Sequence, residues 1–239
     1  MPTSCECMQR SLCLASYPPL VAPEYCKLCG ATPCRLVPGP DARTFLACQG
    51  CGLVFVPSKD WLSVERERER YDFHHNEPDH AGYVAFLSEV VEAVLALDLD
   101  RQRSRVLDFG CGKKAVLAQL LREHGYSVTA YDPLYCGLDS IEASYDLVVL
   151  CEVIEHLRDL GGELDRIARV LAANGRMLVR TQLVPESRAM ASWWYARDPT
   201  HINFFTLPAM EVVGRRIARP AVRMLGPDLF VCDADPKLS

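Results

Sequence analysis

The 239-residue sequence has no apolar run close to the roughly 20 residues that cross a bilayer, which argues against a membrane-spanning helix. It also lacks a secretory leader: Met1 to Arg10 is polar, with one arginine and no apolar stretch behind it. A cytoplasmic protein is therefore expected. Excess positive charge is absent as well. The net charge of −5 excludes a strongly basic nucleic-acid binder and leaves room only for a local patch. Cysteine, by contrast, is plentiful, with 12 residues. In a small secreted domain such a count signals disulfides; in a chain of this length without a leader it points to metal ligands and buried thiols. The length and a composition of 49% hydrophobic and 24% charged residues suit one soluble α/β domain plus a small module.

The cysteines are patterned. Cys26-Lys27-Leu28-Cys29-Gly30 is mirrored by Cys48-Gln49-Gly50-Cys51-Gly52, with eighteen residues between Cys29 and Cys48. Two residues between thiols let one tight turn aim both at a single ion, and a glycine after the second thiol supplies the positive φ that completes the turn. The spacing predicts a zinc ribbon over residues 23–58, with Cys26, Cys29, Cys48 and Cys51 as ligands of a structural zinc and Cys34 left over. Strands are expected at Arg35–Val37, Thr44–Ala47 and Leu53–Val56, the first two joined by the Pro38-Gly39-Pro40-Asp41 turn. Four thiolates leave no open coordination position, so the ion serves structure or recognition. Residues 1–22 carry Pro2, Pro18 and Pro19, show no periodicity and read as a mobile tail. Its Cys5, Cys7 and Cys13 are either incidental thiols or metal ligands.

The rest of the chain is organised around Val106-Leu107-Asp108-Phe109-Gly110-Cys111-Gly112. A short apolar run ends in an acid, opens into a glycine turn and leads into a helix-like segment, Ala115–His124. That order builds a nucleotide pocket at the carboxyl edge of a parallel sheet. Ser127–Tyr131 is the second strand, closed by Asp132-Pro133. Asp132 lies 24 residues after Asp108, at the strand-end position that hydrogen-bonds ribose hydroxyls. Only 12 residues separate Asp132 from Tyr145, so the third strand is rudimentary or missing. Asp146–Cys151 is a buried fourth strand, and Glu152 to Leu157 turns into a helix. Leu160–Leu171 is an amphipathic helix capped around Asn174-Gly175, Arg176–Val184 a fifth strand and Pro208–Ala218 a helix. Val222–Leu225 and Leu229–Asp233 form a closing hairpin. The fold class is α/β: a doubly wound, mostly parallel sheet of the seven-stranded type with a closing antiparallel hairpin, occupying residues 81–239, plus the small N-terminal ribbon.

Residues 59–80 read as a polar connector. Glu65 to Arg70 alternates acid and arginine, which predicts a solvated helix with ion pairs three and four residues apart. Gly82–Leu97 follows as an amphipathic helix. The loop Tyr71 to Pro78, with Phe73, His74 and His75, is placed to cover the pocket. A loop of about 20 residues after the fifth strand carries Trp193, Trp194 and Tyr195, then Asp198-Pro199-Thr200-His201. Its aromatics either stack on a flat substrate or pack the loop down.

Taken in order, Val106–Gly112, Tyr131-Asp132-Pro133, Tyr145–Val148, Glu152-Val153-Ile154-Glu155-His156-Leu157 and the terminal hairpin resemble the class I S-adenosylmethionine-dependent methyltransferases over roughly residues 80–239. Within that superfamily the chain is similar to a bacterial branch with an N-terminal C-x-x-C-G ribbon and a Trp/Tyr-rich Arg-Asp-Pro-Thr-His stretch like Trp194–His201. The resemblance implies that Asp108, Phe109, Gly110, Cys111, Gly112, Asp132, Pro133 and Cys151 bind the cofactor. Asp108 would hold its amino-acid end, directly or through water, and Asp132 its ribose diol. Two departures stand out. Lys114, beside Lys113, replaces the third glycine of the turn, and these lysines either assist or impair cofactor binding. The shortened third strand removes the usual adenine contacts, leaving Asp139 and Ser140 as local substitutes.

A methyltransferase must align its acceptor and, where the acceptor carries a proton, remove it. Imidazole titrates near neutrality and suits that task. His201 and His156 are therefore the candidate general bases, with Glu155 beside them. Glu152, Glu155, His156 and His201 also resemble the divalent-metal set of small-RNA 2′-O-methyltransferases and, in part, of ubiquinone-pathway O-methyltransferases. Methyl transfer to a small molecule, a sugar or specialised metabolite, is the leading expectation. An RNA-modifying enzyme that grips its substrate with the ribbon is the alternative, weakened by the net charge and by the presence of only Arg35 and Arg43 between the knuckles. A non-catalytic scaffold is the third.

Overall fold

The computed structural model describes residues 25–72, 77–135, 141, 144–185 and 190–234. The expected tail with Cys5, Cys7 and Cys13, the Phe73, His74 and His75 of the covering loop, and Asp139 and Ser140 lie outside the described residues.

The ribbon forms as its spacing dictates. Strands β1 (Cys34–Val37), β2 (Phe45–Cys48) and β3 (Val54–Phe55) pair antiparallel. The two knuckles are near copies. Gly30 N–H donates to Cys26 O at 2.8 Å and Gly52 N–H to Cys48 O at 3.0 Å, and both glycines have positive φ, 72° and 79°.

Helix α1 (Val64–Asp72) follows, and then α2 (Ala81–Leu95), whose His80 N-cap accepts the Tyr83 N–H. The large sheet is built from β4 (Arg105–Phe109), β5 (Ser127–Tyr131), β6 (Tyr145–Cys151), β7 (Leu171–Arg180), β9 (Ala221–Met224) and β10 (Leu229–Asp233), in the order β5-β4-β6-β7-β10-β9. The first four are parallel; β10 runs antiparallel to β7 and to β9. Helices α3 (Val116–Glu123), α4 (Leu160–Val170) and α5 (Leu207–Arg216) complete the layers. The remaining strand, β8 (Asn203–Phe204), does not join this sheet. It pairs antiparallel with β3, so the small sheet takes its fourth strand from between the large sheet's fourth and fifth in chain order.

The strands alternate between two cores, as period-2 geometry requires. Val106, Leu147, Val149, Leu178 and Val231 face α2 and α3. Leu107, Val148, Leu150, Met177, Val179 and Phe230 face α4, α5 and the ribbon residues Leu28, Leu46, Leu53 and Phe55. The opposite face of the ribbon, Phe45, Val54 and Val56, packs against Met190, Trp193, Tyr195, Ile202 and Phe204.

In keeping with the short spacing between Asp132 and Tyr145, no strand occurs among the described residues between Tyr131 and Tyr145. Several other local expectations are corrected. Asn174-Gly175 does not cap a helix: α4 ends at Val170 and β7 begins at once. A register shift between Tyr145 and Leu147 absorbs the extra residues, and a Cβ on Gly175 would meet Tyr145 O at 2.5 Å. Glu152 to Leu157 is not a helix but a single 3₁₀ turn at Ile154–His156, and Glu152 precedes it with φ of 53°. The α1 charges pair outward rather than along their own helix: Glu67 with Arg158 and Arg70 with Asp198.

Candidate active site

The glycine turn closes one end of a cavity of about 730 Å³ at the carboxyl ends of β4, β5 and β6. Phe109, Gly110, Cys111, Gly112, Asp132, Pro133, Cys151, Glu152, His156 and His201 all line it. Gly110 has φ of 82°, and a Cβ there would strike Val153 Cγ2 at 2.5 Å, so glycine is required on both backbone and steric grounds. At Gly112, φ 67°, a Cβ would meet nothing within 4 Å; its backbone faces open space where a ligand can approach closely. Asp132 holds the turn: its carboxylate accepts the Gly112 N–H at 3.0 Å and the Leu134 N–H at 2.8 Å.

Asp108 is not among the lining residues. It is 2% exposed, and its carboxylate accepts the Ala118 N–H of α3 at 3.1 Å. Burial raises its pKa to about 7, against the pull of that one amide. Lys113 and Lys114, which stand where a small residue is expected, also line the cavity, and each has an acidic partner. Lys113 pairs with Asp72 at 3.3 Å and Lys114 with Glu77 at 3.5 Å. Tyr71 and Asp72 at the end of α1, and Glu77, themselves line the cavity.

The other end is built from the 3₁₀ turn and the loop before β8. His156 Nδ1 lies 3.1 Å from Thr200 O, and His201 Nδ1 lies 2.8 Å from Tyr195 O. A carbonyl only accepts, so each imidazole donates from Nδ1 and keeps its Nε2 lone pair. The two rings meet edge to face with centroids 4.7 Å apart, and Tyr71 packs against His156 at 5.5 Å. Burial pushes His156 down to about 3, with His201 adding to the effect, so it is neutral at pH 7.

Glu155 is wholly buried behind them. Its carboxylate accepts the Tyr195 hydroxyl at 2.7 Å and the Thr181 hydroxyl at 3.0 Å. His156 Nε2 stands 3.8 Å from Glu155 Oε1. Burial, and then the neighbouring Glu152, push the Glu155 carboxyl well up; burial also raises Glu152 to about 7. One ligand atom from each of Glu155, His156 and His201 falls within 4.8 Å of the others. Glu152 is not in that group: the φ of 53° sets it on the cavity wall ahead of the turn, not one helical turn from His156.

The aromatic loop packs down. Trp193 and Tyr195 are buried, Trp194 is exposed, and none of the three lines the cavity. Contributions without a sequence signal include the Thr181 hydroxyl on Glu155 and the walls supplied by Tyr83, Val153 and Arg158.

In the ribbon, the sulfurs of Cys26, Cys29, Cys48 and Cys51 lie within 4.8 Å of one another. The Gly50 N–H points at Cys48 Sγ, 3.3 Å away. The Cys51 thiol, followed by the Cys29 and Leu28 amides, holds Cys26 down to about 5 against the effect of burial.

A nucleotide-type turn at the carboxyl edge of a parallel sheet thus shares one cavity with the His156 and His201 imidazoles. Residues 79–216, more than half of the chain, match the family described as the methyltransferase domain. The chain belongs to that family of S-adenosylmethionine-dependent methyltransferases. No curated protein sequence matches it. Among solved structures it is similar to the 1,6-didemethyltoxoflavin-N1-methyltransferase of Burkholderia thailandensis with bound 1,6-didemethyltoxoflavin and S-adenosylhomocysteine. The identity is 19% over 82% of this chain and 97% of that one, with a TM-score of 0.48. It is also similar to CalO1, a methyltransferase in calicheamicin biosynthesis, with 20% identity over 64% of this chain and a TM-score of 0.42. The match spans 57% of the CalO1 chain. A third likeness is to the magnesium protoporphyrin IX methyltransferase ChlM of Synechocystis PCC 6803, at 14% identity over 72% of this chain and 95% of that one, TM-score 0.48. At these identities the likeness concerns the fold alone. No helix among the described residues is long and apolar enough to cross a membrane.

Proposed function

We propose that the protein transfers a methyl group to a small-molecule nucleophile, with the cofactor seated on the glycine turn and the acceptor beside His201 and His156. The observation that supports this reading is the shared cavity: the open backbone of Gly112 and the His156 and His201 side chains line the same space. Its volume, about 730 Å³, falls in the range of roughly 300–1,000 Å³ typical of small-ligand sites. S-adenosylmethionine supplies an activated methyl group when bound. The chain's own work is then positioning and proton removal. Gly110, Cys111, Gly112, Phe109, Asp132, Pro133 and Cys151 shape the cofactor seat, and Asp108 braces it from behind through α3. His201 or His156 takes a proton from the acceptor at Nε2, while each Nδ1–H stays on its carbonyl. Glu155, tied to Tyr195 and Thr181, fixes the turn that presents His156.

A second reading concerns divalent metal. Two acceptors, His156 Nε2 and Glu155 Oε1, face each other at 3.8 Å. Either a proton on Glu155 or a cation shared with His201 relieves that opposition. With a cation present, Glu155, His156 and His201 would be its ligands, and an acceptor hydroxyl would lose its proton more readily there. The four ribbon thiols, with amides directed at their sulfurs, suit a closed structural zinc site.

Two alternatives lose support. Arg43, one of the two arginines between the knuckles, is turned into the protein and is not available to phosphate. The lysines in the turn are paired with Asp72 and Glu77, so each charge has a partner beside the proposed cofactor seat, which weighs against a non-catalytic scaffold.

The test is calorimetry with S-adenosylhomocysteine, followed by incubation with methyl-labelled S-adenosylmethionine and a panel of hydroxylated and aminated small molecules beside total RNA. Binding, and label on small molecules that falls at least 100-fold in His201→Gln or His156→Gln, is expected; general-base removal typically costs about that much or more. Label on RNA alone, or no cofactor binding at millimolar concentration, would overturn the proposal.

A further inference from the structure

The ribbon lies against the acceptor end of the cavity, not against the cofactor end. Its Arg43, in the segment between β1 and β2, donates to three carbonyls of the loop that carries His201: Ala196 O, Pro199 O at 3.3 Å and His201 O at 3.1 Å. Those three carbonyls bracket the bend that brings Tyr195 O to His201 Nδ1. The first knuckle reaches the other histidine. Lys27, between Cys26 and Cys29, rests over the Trp61 ring at 4.2 Å and donates to Asn203 Oδ1 at 3.4 Å. Asn203 is fully buried, and its amide nitrogen donates to Ile154 O at 3.2 Å and Leu157 O at 2.8 Å, the two carbonyls on either side of Glu155-His156. The backbone makes the same link: Val56 N–H donates to Ile202 O, and Ile202 N–H donates to Glu155 O, at 3.0 and 2.9 Å.

We infer that the ribbon is the positioning element for the acceptor half of the active site, and that Arg43 is a positioning residue that sets the tautomer and orientation of His201. The inference rests on the proposed role of His201 and His156 in methyl transfer. The physical reason is backbone satisfaction. The stretch between β7 and β8 has carbonyls to which no ladder N–H donates. A guanidinium offers five donors in a fixed fork and can gather several carbonyls at once, which a lysine cannot. With the bend held, Tyr195 O faces Nδ1 and fixes the Nδ1–H tautomer. With the bend released, His201 is free to exchange tautomers, and the proton moves to the nitrogen that must accept one.

The test compares Arg43→Ala and Arg43→Lys with wild type. Arg35→Ala, an exposed arginine of β1, is the control. Imidazole nitrogen NMR reads the His201 tautomer, hydrogen exchange reads the backbone of residues 196–204, calorimetry reads S-adenosylhomocysteine affinity, and metal analysis reads ribbon closure. Expected in both Arg43 variants are a His201 signal shifted from pure Nδ1–H to mixed tautomers and local exchange faster by roughly tenfold. Cofactor affinity and zinc content should stay unchanged, and the control should match wild type. A single Nδ1–H tautomer retained in Arg43→Lys, the milder change, would overturn the inference, as would an equal shift in Arg35→Ala. The two proposals fail separately. A His201→Gln enzyme that still methylates defeats the role of the histidine while leaving the tautomer result standing.

Discussion

Replacing Asp108 with asparagine isolates the energetic consequence of burying an acid under the cofactor turn. Asp108 is 2% exposed and has one amide donor, and its pKa rises from 3.8 to about 7. Between those values the folded protein keeps a proton that the unfolded chain releases. More protons are then bound in the native state, so stability falls as pH rises through the window. The interval, at about 1.4 kcal/mol per pH unit, amounts to roughly 4 kcal/mol lost once the pH passes about 7. Asparagine keeps the size and the acceptor for Ala118 N–H and has no proton to lose. Urea unfolding of both proteins from pH 5 to 8.5, in zinc-containing buffer, gives the difference directly, since titrations common to both cancel. Asp108→Asn should gain on wild type by about 2–3 kcal/mol across that range and level off above about pH 7.5. A difference that stays flat with pH, or one that favours wild type more as pH rises, would refute the argument by showing that the carboxylate is better solvated or paired than the geometry indicates.

Other outcomes follow from the same site. Gly110→Ala forces a left-handed φ on alanine, costing about 1–2 kcal/mol, and meets Val153 at 2.5 Å; S-adenosylhomocysteine affinity by calorimetry should fall about tenfold or more. Phe45→Ala empties a fully buried position between the ribbon and Phe204, and should cost about 3–5 kcal/mol in denaturant unfolding. Glu67→Gln breaks the pair with Arg158, whose side chains are 14% and 33% exposed, and releases α1; cofactor dissociation in stopped flow should quicken a few-fold, about 1 kcal/mol, with little further effect of salt.

The elements legible in the sequence are those whose pattern is local. Ser127–Tyr131 and Leu229–Asp233 occupy the expected residues because alternation and flanking turns bound them on both sides. The four knuckle cysteines converge because the spacing alone aims them. Errors arose where partners lie far along the chain. The acids and arginines of α1 suggested internal pairs, yet Glu67 finds Arg158 and Arg70 finds Asp198, more than ninety residues away. The stretch Glu152 to Leu157 reads as the start of a helix, but the strand end needs a left-handed residue to turn the chain, and Glu152 takes that conformation. Asn174-Gly175 has the composition of a cap and sits in a register shift of β7, a feature set by the partner strand β6. His156 and His201 were both visible as candidates. Their contact, and the carbonyls that choose their tautomers, were not, since nothing in the residues around position 156 announces Thr200.

The pairing of β3 with β8 also sets an order of events during synthesis. Phe55 leaves the ribosome 148 residues ahead of Asn203. At about 5–20 residues per second, the ribbon's open edge waits on the order of ten seconds for its fourth strand. A two-residue strand is a poor template for a wrong partner, and the shortness of β3 limits that hazard. His201 lies two residues before β8, so a nascent chain completes the glycine turn well before His201 is made to meet His156.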